Sequence, residues 1–125
     1  MSHLAYEREM AFFQAVKIGD WETVKQLFKP LESGEMGKLS EDKVRNLKYH
    51  LIITVALTTR YCIEGGMEME TAYNLSDIYI RSIDECNTEV EINLLHRAII
   101  EEFTKRMRNI HKTSSCSKPI IICMD

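Results

Sequence analysis

Proline and glycine are scarce, with two and five copies in 125 residues. That excludes collagen-like and low-complexity chains. The four cysteines, Cys62, Cys86, Cys116 and Cys123, contain no C-x-x-C pair, so neither a disulfide scaffold nor a zinc-type spacing is present. A basic excess is missing too: 16 Lys and Arg stand against 19 Asp and Glu, a formal net charge of -3. A stand-alone nucleic-acid binder carries the opposite balance. Long hydrophobic runs are also absent. The longest, Leu51-Ile52-Ile53 followed by Val55-Ala56-Leu57, falls well short of the roughly 18 apolar residues of a membrane-spanning helix. The opening Met1-Ser2-His3-Leu4-Ala5-Tyr6-Glu7-Arg8-Glu9 holds no apolar core of signal-peptide length. The expectation is a cytoplasmic protein with reduced thiols and no membrane association.

What is present is ordinary globular composition, 45% hydrophobic and 28% charged, at a length that fits one domain. Apolar residues recur at helical spacing between sparse punctuation marks. A first helix is expected over about 4–18, ended by Gly19. Asp20 caps a second, which buries Trp21, Val24, Leu27 and Phe28 and stops before Pro30. Ser40 reads as the cap of a third helix over about 41–64, apolar on every side from Leu51 to Leu57 and therefore central. Gly65-Gly66 ends it. A fourth helix over about 68–85 turns Ala72, Leu75, Ile78, Tyr79 and Ser82 or Ile83 inward. Asn87 or Thr88 caps a fifth, with the stripe Ile92, Leu95, Ile99, Phe103, Met107 and Ile110. Its acidic start, Glu89 and Glu91, and basic end, Lys105 to Lys112, suit the helix dipole. After the polar stretch 113–117, Ser117 and Pro119 read as the start of a truncated sixth helix. The fold class expected is all-α, a compact bundle of five main helices around a buried third, plus that truncated C-terminal helix.

Catalytic motifs are missing: there is no H-E-x-x-H, no G-x-S-x-G and no phosphate-cradling glycine loop. His3, His50, His96 and His111 lie on four different segments, so no metal site is expected. No cofactor motif is present, and an enzyme is not expected. Three polar residues merit attention: Arg60 and Glu64, four apart on the central helix, and Asp77, among apolar neighbours on the next. If these two helices pack antiparallel, Arg60 and Asp77 come within reach. A partly buried pair would fix their register; the alternative is an anionic ligand held by Arg60.

Several strings occur in a familiar order. They are Phe13-Gln14-Ala15-Val16-Lys17-Ile18-Gly19-Asp20, Asn46-Leu47-Lys48-Tyr49, Thr59-Arg60 with Ile63-Glu64-Gly65-Gly66, Ala72-Tyr73 with Leu75-Ser76-Asp77, Tyr79-Ile80, and Ser117-Lys118-Pro119-Ile120. From about Tyr6 to Asp125 the chain resembles the helical region just upstream of the DNA-binding domain in AraC/XylS-type transcription regulators of Firmicutes. The resemblance implies a regulatory domain over 1–112 that senses a signal, dimerises, or both. Residues 113–125 are then a linker and the start of a helix leading to a helix-turn-helix domain that this sequence does not contain. It implies a homodimer that meets DNA only through that domain, and an effector of unknown identity. It assigns no ligand residues: Arg60, Glu64 and Asp77 belong to its recognisable positions without a stated role. Two rival readings follow from the residues alone. A protein-interaction scaffold predicts an exposed concave apolar groove, and a small-molecule sensor predicts a closed cavity near Arg60, between helices three, four and five.

Overall fold

The computed structural model describes residues 3–31 and 37–124, with side chains over 5–31 and 37–113. Five helices follow one another: α1 (His3–Ile18), α2 (Trp21–Leu27), α3 (Lys43–Glu64), α4 (Met69–Glu85) and α5 (Glu89–Met124). The fold is an all-α bundle, with no strand among the described residues.

Local chemistry sets the helix ends. Gly19 adopts a left-handed φ of 76°. Its N–H donates to the Val16 carbonyl (3.0 Å), and the Asp20 N–H reaches back to that of Ala15 (2.9 Å). This is the double closure of a Schellman turn. The Asp20 carboxylate then accepts from the Thr23 N–H (3.2 Å) and hydroxyl (2.6 Å), which starts α2 and holds the carboxyl below its ordinary range. The same closure ends α3, where Gly66 has φ 115° and the Met67 N–H donates to Cys62 (2.9 Å). Thr88 and Glu91 form a reciprocal capping box at the head of α5.

Three expectations need correction. The cap of α3 is Asp42, whose carboxylate accepts from the Arg45 N–H at 2.8 Å. The Ser40 hydroxyl instead accepts from the Asp42 N–H in a tight turn before the helix. On α4, Ile78 points outward at 53% exposure while Ser76 is buried, because the inner stripe runs through Ala72, Ser76 and Ile83, with Tyr79 and Ile80 half-buried beside it. Finally, the backbone does not stop and restart near Ser117. α5 continues as one helix to Met124, there being no glycine in this stretch to supply a left-handed stop.

Packing follows the apolar stripes. α3 meets α1, α4 and α5, as a central helix should, and α5 meets all four others. The centre is thus shared. Leu51 and Val55 of α3 share one buried cluster with Ile92, Ile99, Ile100, Phe103 and Met107 of α5. Each such side chain contributes roughly 1.5–3 kcal/mol by leaving water. Of the four buried threonines, Thr54, Thr59 and Thr104 return their hydroxyl protons to the carbonyl four residues back, while the Thr58 hydroxyl has no partner among the described residues. α3 is not apolar-buried all round: Ile53 is half exposed, and it borders the cleft described next.

Candidate functional site

The three polar residues singled out above do not converge. Arg60 is exposed; its Nη1 donates to the Ala56 carbonyl (3.0 Å), and the guanidinium lies 5.7 Å from the centre of the Tyr73 ring. Asp77 is exposed, and only its backbone carbonyl is engaged, by Arg81 Nε at 3.4 Å. Arg60 thus meets α4 through a cation–π contact with Tyr73, one turn away from the expected ion-pair partner. Glu64 forms an ion pair with Lys17 of α1.

That pair belongs to a close-packed corner. A Cβ on Gly19 would lie 2.3 Å from the Arg108 backbone nitrogen, and one on Gly65 would lie 2.8 Å from the Lys17 carbonyl and 2.9 Å from Met107 Cε. His111 Nε2 sits 3.2 Å from that same Lys17 carbonyl. The Ile18-Gly19-Asp20 and Ile63-Glu64-Gly65-Gly66 strings, separated by over 40 residues in sequence, thus meet where the ends of α1 and α3 clamp onto α5. Their residues act through backbone shape and close approach.

The basic run of α5 is largely compensated. Lys105 pairs with Glu101 (2.6 Å) and Arg106 with Glu102 (2.9 Å), while Lys105 and Lys25 both lie over the Trp21 ring. The Tyr79 hydroxyl donates to the Glu102 carboxylate, and burial together with that carboxylate pushes the phenol well above its usual range. Buried Cys62 and Cys86 are free thiols, and burial pushes Cys62 up to about 12. A thiol so protonated is a poor nucleophile. No group of three or more metal-ligating side chains occurs among the described residues.

The candidate site is a different one, lined by neither Arg60 nor Tyr73. A cleft of about 250 Å³ opens between α1, the end of α2 with Lys29 and Gly37 after it, α3 and His96 of α5. Phe12 and Phe13 of α1, Leu27 of α2, and Ile53 and Leu57 of α3 make apolar walls, with Arg8, Glu9 and Lys29 among the lining residues. Two imidazoles reach it. His50 Nε2 is 2.6 Å from the Gly37 carbonyl. His96 of α5 is only 4% exposed and stacks at 4.5 Å on Phe28, whose ring also carries the Arg97 guanidinium at 5.2 Å. Burial, reinforced by the Arg97 charge, lowers His96 to about 4, so it is a neutral imidazole at physiological pH. A second, more open cleft is lined by Phe28, Pro30, Val90, Leu94 and Arg97 and shares His96 with the first.

Sequence reasoning treated the histidines only as metal ligands and missed this role. The signal was there: His96 follows Ile92 by four and precedes Ile99 by three, and His50 sits between Leu47 and Thr54 at the same intervals, so both fall on buried stripes. No helix among the described residues is long and apolar enough to cross a membrane. No family model, curated protein or solved structure matches this chain.

Proposed function

We propose that this chain is the regulatory, non-catalytic part of an AraC/XylS-type transcription regulator, acting as a dimer that biases tethered helix-turn-helix domains. The observation that carries the reading is the course of α5. This one helix lines the cleft at His96, is clamped at Met107 and Arg108 by the corner the resembled strings build, and runs on unbroken to Met124. At about 1.5 Å per residue its 36 residues span about 54 Å. The Ser117-Lys118-Pro119-Ile120 string, which in the resembled family leads into the DNA-binding domain, lies on its last turns. A small change in the seating of α5 at the cleft then moves its far end as a lever, and in a dimer this alters the spacing of paired half-site readers.

The test compares residues 1–125 with a chain extended past Asp125 into a helix-turn-helix domain. Light scattering is expected to find dimers for at least the extended chain, and gel-shift assays to find sequence-selective DNA binding only there. Inserting one residue after Lys112 turns the far end by about 100° and is expected to reduce operator occupancy. Monomers at high micromolar concentration in both chains, or selective DNA binding by residues 1–125 alone, overturn the reading.

A further inference from the structure

We infer that the cleft between α1, α3 and α5 is a binding site for a small hydroxyl-bearing aromatic molecule, whose ring lies among Phe12, Phe13, Leu27, Ile53 and Leu57 and whose hydroxyl meets the imidazole of His96.

The size of the cleft sets the first limit. An apolar cavity of about 150 Å³ accommodates benzene; the 250 Å³ here takes a substituted ring of roughly ten heavy atoms, below the usual drug-sized range. The wall chemistry sets the second. Phe12 and Phe13 of the wall meet edge to face at 5.4 Å, a geometry that a further ring joins readily.

The polar requirement comes from His96. It is more than nine-tenths buried, lines the cleft, and its described interactions are the Phe28 stack and the Arg97 charge, with no hydrogen bond to either ring nitrogen. His50, by contrast, is already committed to the Gly37 carbonyl. A neutral imidazole presents one donor and one acceptor. Neither ring nitrogen of His96 is among the buried side-chain atoms left without a partner, so they open onto the clefts that His96 lines. There a ligand group that displaces water must replace its hydrogen bond. A hydroxyl satisfies either ring nitrogen without bringing a charge into the apolar interior. The site also has a route to the rest of the molecule, since the residue that meets the polar group belongs to α5. The inference deepens the signal-sensing reading and rests on it only for what the ligand is for; binding itself is measured without DNA.

The test is solution NMR of residues 1–125 titrated with p-cresol and, separately, with toluene. Saturable p-cresol binding is expected, shifting the side-chain signals of Phe12 and Leu57 and the ring nitrogens of His96 while leaving Tyr73 unmoved. His96→Phe keeps the stack on Phe28 but removes the hydrogen bond. It is expected to weaken p-cresol about tenfold and to leave toluene unchanged. His96→Gln, which retains a donor and an acceptor, is expected to keep p-cresol within a few-fold of the unmodified chain and guards against a folding defect in the phenylalanine variant. No saturation at millimolar p-cresol, shifts away from the cleft, or equal loss of both ligands in His96→Phe overturns the inference. None of these results bears on dimerisation or operator binding, so the two readings fail separately.

Discussion

A buried neutral histidine ties stability to pH in a direction that can be worked out. His96 ionises near 6.5 when exposed and near 4 in the fold. Above about pH 6.5 neither state binds the proton and the fold is at full strength. As pH falls below that value the unfolded chain takes up a proton that the folded chain refuses, and stability drains away until both are protonated below about pH 4. The shift corresponds to roughly 3 kcal/mol lost across that window. The charged or titratable groups around the ring are Arg97 beside it and Arg8, Glu9, Lys29 and His50 on the cleft wall. Glu91 and Glu101, whose carboxyls are held below their usual range, lose their contribution at more acidic pH. Denaturation midpoints measured from pH 7 to pH 4 are expected to fall steeply in the unmodified chain and much less in His96→Phe; parallel curves contradict a buried neutral imidazole. At Arg60 the expectation is modest. Arg60→Ala removes an exposed cation–π contact with Tyr73 and is expected to cost about 0.5–1 kcal/mol, whereas Asp77→Ala changes stability by no more than about 0.5 kcal/mol. Urea melts of both variants and of Tyr73→Ala with and without Arg60→Ala check this, because the coupling must reside in the Arg60–Tyr73 pair.

At the level of elements, the glycines that end α1 and α3 differ in what they cannot tolerate, so alanine should rank them. Gly19 needs a left-handed backbone and has the Arg108 backbone 2.3 Å from any Cβ; both penalties apply, about 1–2 kcal/mol for the backbone and 1–3 for the overpacking. Gly65 has an ordinary φ of -81° but no room beside Lys17 and Met107. Gly66 has a positive φ and only an ordinary contact, Ile110 Cγ2 at 3.6 Å. Melting temperatures are expected to fall most in Gly19→Ala, where both penalties apply, and less in Gly65→Ala and Gly66→Ala, where one does; an equal effect at all three contradicts the close approach of α1 to α5. These elements were largely legible from the chain. Gly19, Asp20, Gly65-Gly66 and Thr88 carry short-range chemistry that works at the same place in any helical bundle, and the spacing of Ile92, Ile99, Phe103 and Met107 marks a buried stripe without knowledge of its partners. The site was not legible. Spacing gives the face of a helix but not the rotation of its neighbour, so Arg60 and Asp77 could be assigned to facing helices and still miss each other. Likewise Ile53 reads as core, although the cleft leaves it half exposed. Ser40 and Asp42 both have capping chemistry, and only the path of the preceding turn decides between them.

For the whole molecule, one continuous core decides how it comes apart. Its members include Val16 of α1, Val24 of α2, Leu51 and Val55 of α3, Ala72 and Ile83 of α4, and Ile92 through Met107 of α5, so no helix keeps its buried face once the others leave. α2 has only seven residues, too few to persist alone, since isolated helices shorter than about 12–15 residues are marginal in water. Trp21, the single tryptophan, opens α2 and is held between Lys25 of its own helix and Lys105 of α5; its emission therefore reports whether α2 is seated on α5. The main transition in far-ultraviolet circular dichroism, which reports the bundle as a whole, is expected to share its urea midpoint with Trp21 fluorescence. A Trp21 transition at clearly lower urea means that the α1–α2 hairpin leaves α5 while the remaining helices hold. The cleft walls at Phe12, Phe13 and Leu27 would then be able to separate from His96 without global unfolding, and the lever described for α5 would lose the fixed wall against which it must be seated.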